Sequence, residues 1–186
     1  MSEQTQERHR TAAELAAGLE HVRRAPAVSG LLESVVRRPQ EGERETLDVA
    51  ELDLVQGLVG DRWSRGRRGR APDPDTQLTL MSARAADLVA CSRERWALAG
   101  DQLYVDLDLS EANLPPGTRL AIGSAVVEIS PQPHTGCKKF VSRFGLEAML
   151  FVNSPEGRAL RLRGANARVV EAGLVRPGDE VLKLDG

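Results

Sequence analysis

The residue types best suited to chemistry crowd into one stretch, Ser130–Gly145, which reads SPQPHTGCKKFVSRFG. Cys137 follows Gly136 and is followed at once by Lys138 and Lys139, with Arg143 further on. Only three of the 25 Lys and Arg residues are lysines, so a pair of them directly after the cysteine is a local feature. A thiolate is a nucleophile and a metal ligand, and neighbouring cations lower the pKa of the thiol that forms it. A cysteine can equally be a small, inert hydrophobe in a core. Thr135, Gly136, Lys138 and Lys139 are not the neighbours of a core position, so the functional reading of Cys137 is preferred. His134, close before it, is the one histidine besides His9 and His21. Cys91, in DLVACSRERW, lies on the apolar side of a helical pattern and is expected in the core.

Other chemistries lack their residues. A zinc site takes three or four Cys, His or carboxylate ligands, which one histidine and one loop cysteine do not supply. No Walker loop and no GxGxxG follows a strand pattern. A cysteine protease needs a base placed against the thiol, and His134 sits too near Cys137 in sequence to suggest a triad. What remains is a single thiolate in a basic setting, suited to carrying a persulfide or to serving as a soft ligand to a metal brought in on a cofactor.

The chain has 186 residues and a formal net charge of −2, enough length for one domain with an extension and no global field toward nucleic acid or anionic membrane. Two cysteines in unlike contexts are no disulfide framework. No apolar run is long enough to span a bilayer, and the polar N-terminus lacks the apolar centre of a signal peptide, so a cytoplasmic protein is expected. Arg62–Arg70, RWSRGRRGR, holds five arginines. It reads as an anion-binding loop or as a solvated surface loop, and composition alone favours the second.

These residues need elements to place them. Ala12, Leu15, Ala16, Leu19 and Val22 recur at helical spacing before Pro26, which gives an N-terminal helix over an extension of residues 1–27 that packs outside the domain or mediates contacts between chains. Residues 28–186 form the domain. GLLESVVRRP, ETLDVAELDL and QLTLMS read as strands. Ser82 caps a helix over ARAADLVACSRERWAL, which Gly100 ends. DQLYVDLDL is a strand, and RLAIGSAVVEIS is two strands pivoting at Gly123 that deliver the chain into the cysteine loop. LEAMLFV and SPEGRALRL are short helices, the second with Ser154 as cap and Pro155 in its first turn. ARVVEAG and EVLKL close the chain as strands about the turn VRPGD. Many short strands with turn signals and a few helices predict a mainly β fold, a barrel with helical insertions.

With HTGCKKF on the page, the chain resembles the MOSC family, named for the C-terminal domain of molybdenum cofactor sulfurases. VSGLLESVVRRP is similar to the family's opening strand, GLVGDRW to its Gly-Asp-Arg element, LAIGSAVVEISPQPHTGCKKF to the strand that leads to its cysteine, and LRLRGANARVVEAGLVRPGDEV to its closing segment. The ordered series runs from about Val28 to Leu184. Departures are Gly136 where many relatives have proline, Trp63 where histidine often follows Gly-Asp-Arg, and Asn166 where an aromatic is common.

The resemblance implies a mostly antiparallel β-barrel with the cysteine at a pocket. It implies a molybdenum–pterin cofactor bound through Cys137 and reduction of N-hydroxylated or N-oxide substrates. Lys138, Lys139, Arg143 and Arg163 would offset the charge of the cofactor phosphate or thiolate. Asp61 and Arg62 would line the same pocket with His134 and Thr135, and Asn166 would contact a ligand. A second implication is a persulfide carrier serving metal–sulfur cluster or molybdenum cofactor maturation. A third reading is a non-catalytic anion-binding module that uses Arg62, Arg65 and Arg163. No sulfurase or ferredoxin-type module is apparent, so chemistry independent of pyridoxal phosphate and a separate sulfur- or electron-donor protein are expected.

Overall fold

The structure, a computed structural model, describes residues 9–66 and 69–185; Arg67 and Arg68 of the arginine-rich loop lie outside the described residues. In chain order its elements are α1 (Ala12–Arg23), β1 (Ser29–Arg37), β2 (Glu45–Thr46), β3 (Ala50–Asp53), β4 (Gly57–Leu58), β5 (Leu78–Ser82), α2 (Ala83–Ala90), β6 (Leu103–Asp106), β7 (Arg119–Ile122), β8 (Ala125–Ile129), α3 (Lys138–Phe144), α4 (Leu146–Asn153), α5 (Pro155–Ala159), β9 (Ala165–Glu171), β10 (Gly173–Val175) and β11 (Glu180–Lys183). Strands β11-β7-β8-β9-β5-β6-β1 form a ring that the β1–β11 pairing closes, with β2 joined to the far end of β1. β10-β3-β4 form a separate small sheet. Among the described residues no helix is long and apolar enough to cross a membrane.

The barrel is mostly antiparallel, as expected, and one pair is the exception. β5 and β6 run parallel, Leu80 opposite Leu103, so the barrel is mixed. Parallel neighbours need a long crossover, and α2 with the 3-10 helix Arg93–Ala99 supplies it. Ser82 caps α2 as expected, its side chain accepting from the Ala85 N–H. The helix does not run on to Leu98. It ends at Cys91, which takes the left-handed conformation at φ 67°. That turn swings Cys91 off the apolar stripe, so the expected core cysteine is exposed, while Val89 and Ala90 keep their places inside.

The strand expected over ETLDVAELDL is split, because β2 pairs with β1 whereas β3 pairs with β10. Leu52 is buried, but Val49 and Leu54 are exposed. In β1 a register shift between Leu32 and Ser34 re-phases the strand. Leu32 and Val35, three apart, therefore both enter the barrel interior, and Val36 faces the helices. Those helices cover the outer face of the barrel, where Met81 and Tyr104 meet Leu15, Leu19, Phe140 and Phe144. α1 begins with a Thr11–Glu14 capping box, and Leu15, Leu19 and Val22 are buried within this same chain.

The Gly-Asp-Arg segment is tied to the end of β1 by a buried carboxylate. Asp61 accepts from Arg38 Nε at 2.9 Å and Nη2 at 3.0 Å, and from the backbone N–H groups of Arg38 at 2.9 Å and Trp63 at 3.0 Å. Its side chain has no exposed surface. Removing one partner of a buried pair strands the other's charge. Asp61→Ala is therefore expected to cost about 3 kcal/mol, the low end of the range because Arg38 keeps some solvent contact. Urea unfolding checks this, with a loss below about 1 kcal/mol, the scale of an exposed pair, excluding the structural role.

Candidate functional site

The 3-10 helix Arg93–Ala99 ends at Gly100, whose N–H donates to Ala97 O, and the carbonyls of Leu98, Ala99 and Gly100 receive no backbone donor among the described residues. All four of these carbonyls receive an arginine. Ala97 O accepts from Arg44 Nε at 3.1 Å, Leu98 O from Arg143 Nη1 at 2.8 Å, Ala99 O from Arg163 Nη2 at 2.9 Å and Gly100 O from Arg38 Nη1 at 2.8 Å. The four come from the end of β1, the segment before β2, α3 and the approach to β9. They crowd one another: burial first, then Arg143, Arg38 and Arg62, lower the pKa of Arg44.

Asp101 follows directly and is fully buried. Its carboxylate accepts from Arg163 Nη1 at 2.6 Å and contacts His134 Nε2 at 2.9 Å. Burial pushes the Asp101 carboxyl up, but Arg163 and His134 outweigh it and hold the group well below the usual carboxylate range. Burial and then Arg163 push His134 below its ordinary value, and Asp101 opposes this only in part. A neutral His134 donates from Nε2 to Asp101, which leaves Nδ1 as an acceptor without a protein partner among the described residues.

Two cavities meet at this histidine. The larger, about 750 Å³, is lined by Arg62, Trp63, Arg65 and Arg70 on one side. The smaller is about 360 Å³. Gln132, Pro133, His134, Thr135 and Asn166 border both, so this loop and one β9 side chain form the wall between them. Asn166 Nδ2 donates to Gln132 O at 2.9 Å, and the Ser130 N–H donates to Asn166 O at 2.9 Å, which fixes the wall to the barrel.

The sequence-predicted residues separate accordingly. Arg62, His134, Thr135 and Asn166 line the larger cavity together. Asp61 is buried against Arg38 and lines neither cavity. Arg163 reaches the smaller cavity with its charge matched by Asp101. Arg143 is spent on Leu98 O, and exposed Lys139 pairs with Glu41 at 2.5 Å. Lys138 is exposed on the first turn of α3. Cys137 is exposed, with extended backbone at the N-cap of α3 and no capping bond from its side chain. It lines neither cavity, but Thr135, two residues away and so within roughly 7 Å along the chain, lines both.

Three residues here escape sequence reasoning. Asp101 reads as the polar start of a half-buried strand, and Arg38 as a charge at a strand end. Asn153 reads as the polar end of a helix, yet its Oδ1 accepts from the Gly136 N–H at 2.9 Å and its Nδ2 donates to Gly136 O at 3.1 Å. That clamp uses an N–H that proline lacks. It also explains why glycine suits position 136, where a Cβ would lie 3.1 Å from Val152 Cγ2 and 3.2 Å from Asn153 Nδ2.

Among the described residues no three His, Cys, Asp or Glu side chains converge as a metal cage. A family model described as the MOSC domain matches residues 71–182, more than half of the chain. Among solved structures, the chain is similar to the YuaD protein from Bacillus subtilis, with a TM-score of 0.58 at 17% identity over 82% of this chain and 94% of that one. It is also similar to YiiM from Escherichia coli, with a TM-score of 0.55 at 22% identity over 84% of this chain and 70% of that one. For YiiM from Geobacillus stearothermophilus the TM-score is 0.52 at 14% identity, over 87% of this chain and 75% of that one. Identities this low speak to fold. No curated protein matches the chain.

The Asp101–His134 pair sets a pH dependence. Both groups have folded pKa values below their ordinary ones, so the unfolded chain binds their protons first. Their stabilisation is complete above pH 6.5 and is lost as pH falls, through His134 below 6.5 and through Asp101 below 3.8. Denaturant unfolding across this range is expected to show the first decline in the parent and a flatter curve in His134→Gln, which donates to Asp101 without titrating. Equal slopes in the two proteins would remove His134 as the cause.

Proposed function

The chain belongs to the MOSC domain family, a family associated with molybdenum-cofactor binding, and from that premise we propose that it holds a molybdenum–pterin cofactor in the larger cavity and reduces N-hydroxylated or N-oxide substrates. The observation that carries this reading is the meeting of Arg62, Arg65 and Arg70 with Thr135, two residues from Cys137, around one cavity of about 750 Å³. The residues fit such a group. Guanidinium forks match phosphate, an exposed thiol gives one soft ligand, and since no protein cage forms among the described residues, the metal's remaining ligands would come with the cofactor.

When bound, the group would supply the two electrons of the reduction. The chain's own residues do the rest. Cys137 Sγ would be the ligand to the metal, held in place through the Asn153 clamp on Gly136. Arg62 and Arg65 bind the phosphate. Reduction of R–NH–OH to R–NH2 consumes two electrons and two protons and releases water. His134 Nδ1 would accept a hydrogen bond from the substrate's N–OH, with Asp101 fixing the ring through Nε2.

Protein made in a host that builds the cofactor is expected to carry roughly one molybdenum per chain, and Cys137→Ser is expected to lose it. Elemental analysis checks both, and normal molybdenum in Cys137→Ser would sink the assignment. One observation favours a persulfide carrier as the second reading: Cys137 is exposed and lines neither cavity. A metal-free protein whose intact mass exceeds the chain by about one sulfur atom, removed by a reductant, would select that reading.

A further inference from the structure

The smaller cavity draws three arginines that differ in one respect. Arg163 is matched by Asp101 at 2.6 Å. Arg158 and Arg161 border the same space with no carboxylate in ion-pair contact among the described residues. Arg158 Nε donates to Asn153 O at 3.0 Å. Arg161 Nη1 donates to Leu114 O at 2.6 Å and more weakly to Leu109 O at 3.4 Å, and its other two nitrogens have no protein partner among the described residues. Glu111, on the same cavity, is near enough to favour the charged Arg161 but makes no ion-pair contact with it, so this half-buried guanidinium is only partly compensated. Burial lowers the Arg161 pKa, and Glu111 opposes this only in part.

The backbone adds an independent observation. Arg161 follows the C-cap of α5 with φ 47°, in the left-handed region where glycine is usual after a helix. A strained residue held at a cavity is a reason to look for a use of its side chain. The two carbonyl bonds fix the guanidinium, and its remaining N–H groups are left to a ligand.

We propose that the smaller cavity is the substrate's pocket and that Arg158 and Arg161 select substrates bearing a carboxylate or phosphate group. An occupant there meets His134, Thr135 and Asn166 from the side opposite the larger cavity. The word substrate rests on the function proposed above; the anion site does not.

The test uses the chain as purified, without cofactor, labelled with ¹⁵N and titrated with benzoate, phenyl phosphate and the neutral benzamide. Benzoate or phenyl phosphate is expected to shift the amides of Glu111, Gly164 and Ala165, and benzamide to leave them in place. Arg158→Glu is expected to weaken anion binding roughly tenfold or more, as loss of a charge-assisted bond does. Arg158 is exposed and holds a single carbonyl, so this variant tests binding even if Arg161→Gln fails to fold. Equal shifts from benzamide, no shifts from either anion, or unchanged binding in Arg158→Glu would each overturn the inference. In cofactor-loaded protein, Arg158→Glu is expected to retain its pterin, read as fluorescence of the oxidised pterin after extraction. Loss of pterin would assign these arginines to the cofactor and overturn the inference. A chain without molybdenum would sink the function proposed above while leaving the titration intact, so the two readings fail separately.

Discussion

Four successive carbonyls, from Ala97 to Gly100, end a 3-10 helix, and among the described residues only Ala97 O takes a backbone N–H, that of Gly100, so the arrangement of the site depends on how they are satisfied. Arg44, Arg143, Arg163 and Arg38 each take one. Unpaired backbone acceptors away from water are costly, so this short segment draws together elements far apart in sequence. The left-handed Gly100 then turns the chain, and Asp101 enters the interior as β6 begins. A cluster of cations gathered by carbonyl dipoles needs a formal negative charge nearby, and the Asp101 and Asp61 carboxylates supply two.

This constraint reaches the cysteine by two routes. Through Asp101 it fixes His134, and with it the loop that walls the larger cavity from the smaller. Through Arg143 it anchors α3, whose N-cap is Cys137. The second face of the loop is held from α4, where Asn153 clamps Gly136. The thiol itself stays unengaged at the N-cap of a helix whose Phe140 and Phe144 are locked in the outer core. A reactive atom is thus carried on a rigid support without being part of it, the usual economy of a site built on a scaffold. The arginines divide the same way. Some are consumed by the protein's own carbonyls and carboxylates, and others face open space at the cavities.

Much of the fold was legible in the chain. Ser82 and Ser154 announced helix starts, and the pivot at Gly123 announced the two strands that lead to the cysteine. The ordered motifs announced the family. Misreadings came where a long-range pairing overrode a local pattern. The alternation in ETLDVAELDL could not show that its two halves join different sheets. The apolar setting of Cys91 could not show a helix ending in a left-handed turn. The parallel β5–β6 pair depends on where the crossover returns, which no strand propensity encodes.

The sequence by itself determined the barrel with its helices, a thiol among polar and basic neighbours and a histidine close before it, because these are properties of residue type and short spacing. Tertiary structure alone decided which charges are available. Arg143 and Arg163 looked like ligands for an anion and are bonded to Leu98 O and to Asp101, whereas Arg158 and Arg161, which no motif singled out, stand at a cavity with no carboxylate in ion-pair contact among the described residues. Whether a guanidinium is spent or open depends on the carbonyls and carboxylates brought within hydrogen-bond distance, and those come from segments the chain order keeps far apart. Asp101, the carboxylate that neutralises Arg163 and orients His134, is an ordinary polar residue until folding buries it between them.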